Sequence, residues 1–155
     1  MSDNASQLMH ATTVSLDAKG VAIRGMPGSG KTFLALSLIR RARQSGLVAG
    51  LIADDQTIVD GTNDAHLAVR CPAAIIGKIE VRPYGIVDCA ALTLAEAKLV
   101  LVCDLSDDVG PIERVQQGNM VKLLGFDVPH LCLHARQAEP NCSAIFAALG
   151  LPCWY

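Results

Sequence analysis

Apolar positions fall into short runs broken by glycine, aspartate and proline, and the period of each run predicts an element. "TTVSL" and "VAIRG" alternate as strands do, joined by a tight turn at "DAKG" in which Gly20 is free to take a positive φ. From Lys31 the period lengthens. "KTFLALSLIRRARQSG" puts Leu34, Ala35, Leu38, Ile39 and Ala42 on one helical face. Arg40, Arg41 and Arg43 lie off that face, near the end where cations suit the helix dipole, and Gly46 supplies the stop. "LVAGLIADD" reads as a buried strand ending in two carboxylates, and "QTIVDGTNDAHLAVR" as a hairpin around "DGTND". "CPAAIIG" predicts a short helical turn, "KIEVR" a strand and "AKLVLVCDL" another buried strand. "PIERVQQGNM" reads as an exposed connection, "KLLGFDVPHLCLHA" as extended chain and "CSAIFAALG" as a short helix. The expectation is one strand-rich α/β domain over residues 1–155, with residues 1–9 flexible.

Between the second strand and the first helix stands "GMPGSGKT": Gly25, Met26, Pro27, Gly28, Ser29, Gly30, Lys31 and Thr32. Strand, Gly-rich loop and helix in that order are the context of a phosphate-binding loop. Successive backbone N–H groups and the positive end of the helix hold polyphosphate charge without bulky side chains. Lys31 is placed to reach the β and γ phosphates and the Thr32 hydroxyl to bind Mg²⁺. The loop does not select a reaction. No N/TKxD segment follows to read guanine, "DDVG" at 107–110 lies beyond its strand end, and no LSGGQ-like helix start appears. Small-molecule kinases and the less common protein kinases remain.

Composition narrows this little further. A chain of 155 residues, 51% hydrophobic, buries about 70% of its unfolded surface as one domain. Thirteen Lys+Arg against 15 Asp+Glu give a net charge of −2, and no basic stripe beyond "RRAR" suggests a nucleic-acid partner. No apolar run reaches the ~20 residues that span a bilayer, and the first ten residues do not form a secretory signal. Six cysteines without a CxxC pair read as buried, reduced thiols of a cytoplasmic protein.

Phosphoryl transfer needs one carboxylate near Mg²⁺ and another to accept the proton of the attacking hydroxyl. Asp54 and Asp55 alternate in direction at one strand end and are suited to different roles; Asp104, ending "KLVLVCD", competes for the metal role. His10, taken alone, is an ordinary surface histidine or a catalytic one.

"VAIRGMPGSGKTFLALSLIRR", "GLIADD" and "GKIEVRPYGIVD" occur in an order and spacing that resemble the HPr kinase/phosphorylase family. The segment "IEVRPYGI" at 79–86 is the most specific part, and the likeness covers roughly residues 10 to 150. It implies an α/β P-loop kinase domain of the HPr kinase and PEP carboxykinase-like type, with a strand-rich central sheet and few helices. It also implies ATP- and Mg²⁺-dependent phosphorylation of a serine on HPr, the small carrier protein of the sugar phosphotransferase system, and a hexameric assembly. Carried over by position, Asp55 takes the serine proton, Lys31 stabilises the transferring group, and Thr32 and Glu80 hold the metal. His10 and Arg114 join the catalytic set, Arg114 by neutralising charge on the departing phosphoryl group. Pro27 departs from the family's serine, Pro83 and Tyr84 from its "RGLG", Ala11 from its glycine, and "LHARQAEPN" from its Pro-Val-x-x-Gly-Arg loop. Those departures favour the kinase direction over phosphorolysis. A P-loop kinase for a small metabolite and a non-enzymatic nucleotide-sensing module are the alternatives.

Overall fold

The computed structural model describes residues 5–108 and 115–155. Two antiparallel pairings involve the start of the chain, one long-range and one a hairpin. Ser6–Met9 (β1) pairs with Thr57–Gly61 (β5), and Thr12–Leu16 (β2) pairs with Lys19–Gly25 (β3). The helix Lys31–Gln44 (α1) leads into Ala49–Ala53 (β4), which pairs antiparallel with β2. Leu67–Arg70 (β6) returns against β5, and Lys78–Val81 (β7) forms a separate hairpin with Gly85–Asp88 (β8). The long strand Glu96–Ser106 (β9) is followed by Met120–Leu123 (β10), Phe126–His134 (β11) and the helix Ala138–Ala148 (α2).

β9 organises the main sheet. Along one edge it runs parallel to β3. Along the other it pairs antiparallel with β6 over Glu96–Lys98, then parallel with β11 over Val102–Ser106. The three parallel strands thus sit side by side, with antiparallel strands completing both flanks. Apolar residues alternate across this sheet, as a strand buried on both faces requires. Val21, Ile23, Leu101, Cys103 and Leu105 face a cluster with Leu34, Leu38 and Ile39 of α1 and Ile145 and Phe146 of α2. Ala22 and Val102 face the opposite cluster, with Ile52, Val59, Val69 and Val128. Leu99 belongs to that second cluster although Leu101 belongs to the first. The pairing explains it: Gly20 opposes Leu99 and Val21 opposes Leu101, so one extra residue bulges out and flips the alternation.

Several expectations stand and others are corrected. The face read for α1 is the buried one, and Gly46 closes the helix at φ 83°. Gly20 does not supply the turn after β2. Asp17 and Ala18 carry the positive φ values, 52° and 64°, the pattern of a two-residue hairpin turn. In the lead-in expected to be flexible, Ser6–Met9 forms a paired strand. "KLLGFDVPHLCLHA" is not one extended run, because Leu124 and Gly125 turn β10 into β11 at φ 46° and 83°. α2 begins four residues ahead of the predicted segment, at Ala138. The six cysteines are free; Cys89 and Cys132 are only partly buried. Burial pushes the Cys142 thiol up to about 11, so it stays protonated and unreactive at neutral pH. Among the described residues no helix is long and apolar enough to cross a membrane.

Gly20 is needed for space. A Cβ there would lie 2.6 Å from the Lys98 carbonyl oxygen, a backbone atom that cannot swing aside. Gly20→Ala is expected to lower unfolding free energy by about 1–3 kcal/mol. A urea midpoint equal to that of the parent protein would contradict the close approach of β3 to β9.

Candidate active site

The phosphate-loop segment leaves β3 at Gly25, where a Cβ would come within 2.5 Å of Ser29 Oγ. Gly28 and Gly30 take positive φ, 80° and 93°, and Gly30 caps α1 with no acidic residue in the first turn. The positive end of α1 is therefore uncompensated by any side chain of its own helix. Ser29 Oγ is buried with no hydrogen-bond partner among the described residues. The turn between β11 and α2 braces this loop. Arg136 donates its backbone N–H to Ser29 O at 3.0 Å and its Nη1 to Gly28 O at 3.3 Å, and its Nη2 pairs with Asp107. Lys31 Nζ folds back onto the loop, donating to Gly25 O at 2.9 Å and Met26 O at 3.2 Å.

Facing the loop is the carboxylate pair at the end of β4. Asp54 is buried and accepts three hydrogen bonds. Its Oδ1 accepts from Thr32 Oγ1 at 2.9 Å and Thr12 Oγ1 at 3.1 Å, and its Oδ2 from the Glu80 N–H at 2.9 Å. Asp55 is exposed, held at φ 65° with its N–H donated to Thr12 Oγ1 at 3.2 Å. Aspartate tolerates that left-handed conformation better than most residues. Glu80, exposed on β7, pairs with Arg82 Nε at 3.1 Å. Lys31, Thr32, Asp54, Asp55 and Glu80 together line one cavity of about 290 Å³, whose apolar side includes Phe33, Leu36 and Val81.

The structure thus gathers Lys31, Thr32, Asp55 and Glu80 with Asp54, the other carboxylate of the pair read at the strand end, and adds Thr12, which sequence reasoning did not single out. Pro27, Gly28 and Gly30 also line the cavity, whereas the Met26 side chain points to solvent. His10 is exposed between β1 and β2 and does not line the cavity. Arg114 lies outside the described residues.

Asp104, considered above as a metal acid, is committed elsewhere. Arg24 grips it with two bonds, Nε to Oδ1 at 2.8 Å and Nη2 to Oδ2 at 2.7 Å, and His130 Nε2 lies 2.7 Å from Oδ2. These three residues clasp the three parallel strands β3, β9 and β11 outside the cavity lining. Burial alone would raise the Asp104 carboxyl, but the hydrogen bonds and charges of Arg24 and His130 outweigh it and hold the carboxyl below its ordinary value.

A parallel three-strand centre, a Gly-rich loop entering a helix and a carboxylate pair on a neighbouring strand define an α/β domain of the P-loop kinase type. The chain belongs to the HPr Serine kinase C-terminal domain family, whose model matches residues 3–149. It is 32% identical over 136 residues to an HPr kinase/phosphorylase of an Exiguobacterium species, covering 83% of this chain and 42% of that protein. The same-named protein of Clostridium beijerinckii is 29% identical over 151 residues, covering 92% of this chain and 47% of that one. The chain therefore spans less than half the length of these relatives. Its fold is that of the Hpr(Ser) kinase/phosphatase from Coxiella burnetii, with a TM-score of 0.74 at 24% identity, covering 93% of this chain and 88% of that one.

The clasp makes a pH-dependent prediction. A carboxyl whose folded pKa lies below its unfolded one stabilises the fold above the unfolded value and loses that contribution as pH falls through the folded one. Asp104→Asn should cost about 1 kcal/mol at neutral pH, and the gap from the parent should narrow as pH falls below about 4. Urea unfolding at pH 7 and pH 3 measures it; a gap that widens in acid would overturn the assignment.

Proposed function

We propose that this domain transfers the γ-phosphoryl group of ATP to a serine hydroxyl of HPr, acting in the cytoplasm. The observation that carries the reading is the cavity in which a helix N-terminus without a side-chain cap and Lys31 face a buried and an exposed aspartate that follow one strand. Family membership and the names of the relatives support the choice of HPr as acceptor. A hexameric assembly is part of the same proposal.

The residues fit both nucleotide and metal. Gly28 and Gly30 hold the loop in the conformation that turns backbone N–H groups toward an anion, and the unpartnered Ser29 hydroxyl lies buried in the same turn. Thr32, Asp54 and Glu80 provide the hard oxygen donors that Mg²⁺ takes. Bound Mg²⁺ supplies charge neutralisation on the triphosphate. Thr32 and Asp54 already share a hydrogen bond, so that part of the donor set is organised in advance. Lys31 exchanges the Gly25 and Met26 carbonyls for phosphate oxygens. Asp55, exposed at the mouth, accepts the serine proton as the new O–P bond forms and the bond to the β-phosphate oxygen breaks, releasing ADP. Arg114 and His10 complete the proposed set, Arg114 by balancing charge on the phosphoryl group.

Incubation with Mg-ATP and HPr should add one phosphoryl mass to HPr, and the absence of any gain would remove the kinase reading. Lys31→Ala should abolish ATP binding. Asp55→Asn should keep ATP affinity while slowing transfer by about 10²–10⁴-fold. Transfer at the parental rate in that variant would take the proton-accepting role from Asp55.

A further inference from the structure

Two cavities meet at the first turn of α1, with Gly30 and Phe33 common to both. The larger holds all three candidate carboxylates, Asp54, Asp55 and Glu80. The smaller, about 160 Å³, lies between the N-terminal turns of α1 and α2 and has no acid in its wall. Leu34, Leu105 and Ala138 make it largely apolar, and Asn141 is a polar residue set into it.

A nucleoside triphosphate laid along the loop has two ends of unlike chemistry. The terminal phosphoryl group must face the carboxylate that takes the acceptor's proton, which fixes that end in the larger cavity. The uncharged, planar base then falls on the other side of Gly30, where the wall is apolar and free of carboxylates.

Two side chains there keep a group that the fold does not use, the Phe33 ring and the Asn141 amide oxygen. Phe33 leaves 64% of its surface exposed at the lip between the cavities, a ring offered to solvent that contributes little to the core. Asn141 is only 6% exposed. Its Nδ2 donates to His134 O at 2.8 Å, which orients the amide, and Oδ1 has no hydrogen-bond partner among the described residues. The fold does not seal that oxygen off, and from the cavity wall it can accept from an N–H donor.

We propose that the smaller cavity is the base subsite of the nucleotide, taking adenine against the Phe33 ring with its 6-amino group donated to Asn141 Oδ1. The proposal rests on the phosphate-site reading above. Ring–base stacking supplies the affinity and the Asn141 acceptor supplies the choice of base, since a 6-oxo purine presents a second acceptor where a donor is needed.

Calorimetric titration with three Mg²⁺-loaded probes, ATP, inosine triphosphate and inorganic tripolyphosphate, tests it. The parent protein should bind ATP more tightly than tripolyphosphate, and Phe33→Ala should lose about tenfold in ATP affinity with tripolyphosphate unchanged. Inosine triphosphate should bind about tenfold more weakly than ATP. Equal losses for ATP and tripolyphosphate in Phe33→Ala, or no loss for either, would overturn the stacking role. Equal affinities for ATP and inosine triphosphate would overturn the Asn141 contact. Tripolyphosphate binding as tightly as ATP would remove the base subsite and leave the phosphate site standing. Binding of neither to the parent protein would remove both.

Discussion

One buried carboxylate holds the site together. Asp54 follows directly on β4, and its two oxygens reach β2 through Thr12, α1 through Thr32 and β7 through the Glu80 N–H. A carboxylate taken out of water is costly unless its oxygens are matched by donors, and here three donors from three elements supply that match. The requirement works in both directions. Asp54 is tolerable because those elements converge, and they are held in register because Asp54 needs them. The separate β7–β8 hairpin, which shares no strand pairing with the main sheet, is drawn to the loop in this way and brings Glu80 with it.

The arrangement also divides labour between adjacent aspartates. β4 ends at Ala53, and the left-handed backbone at Asp55 turns the chain there, leaving the second carboxylate exposed. Asp54 accepts three bonds from the fold, whereas the Asp55 side chain is exposed. The second threonine of the "TT" pair is equally committed: Thr13 meets Thr57, whose hydroxyl donates to Ala11 O, so the strand ends flanking the aspartates are tied by hydroxyls rather than by core packing alone.

Legibility in the sequence followed the range of the forces involved. The α1 face, the loop and the hairpin around "DGTND" are set by local period and turn chemistry, and they stand as read. What escaped depends on partners far away in sequence. β1 exists because β5, about fifty residues on, offers an edge. Gly20 is demanded by Lys98, and Asp104 is occupied by Arg24 and His130. The role of Asp54 as a junction needed Thr12 and Glu80 in place together. One signal was present: two threonines opening the strand that pairs beside "ADD" supply hydroxyl donors at a height where carboxylates need them.

The resting posture of Lys31 has a bearing on discrimination among anions. Its ammonium already donates to two carbonyls of its own loop. An arriving ligand therefore trades neutral acceptors for charged ones, and the gain is only the margin by which a charge-assisted bond exceeds an ordinary one. A species with a single phosphorus centre recovers that margin once, while a chain of linked phosphates also engages the amides and the helix end. On the proposed reading, the loop's self-contact is an internal competitor that any bound anion displaces.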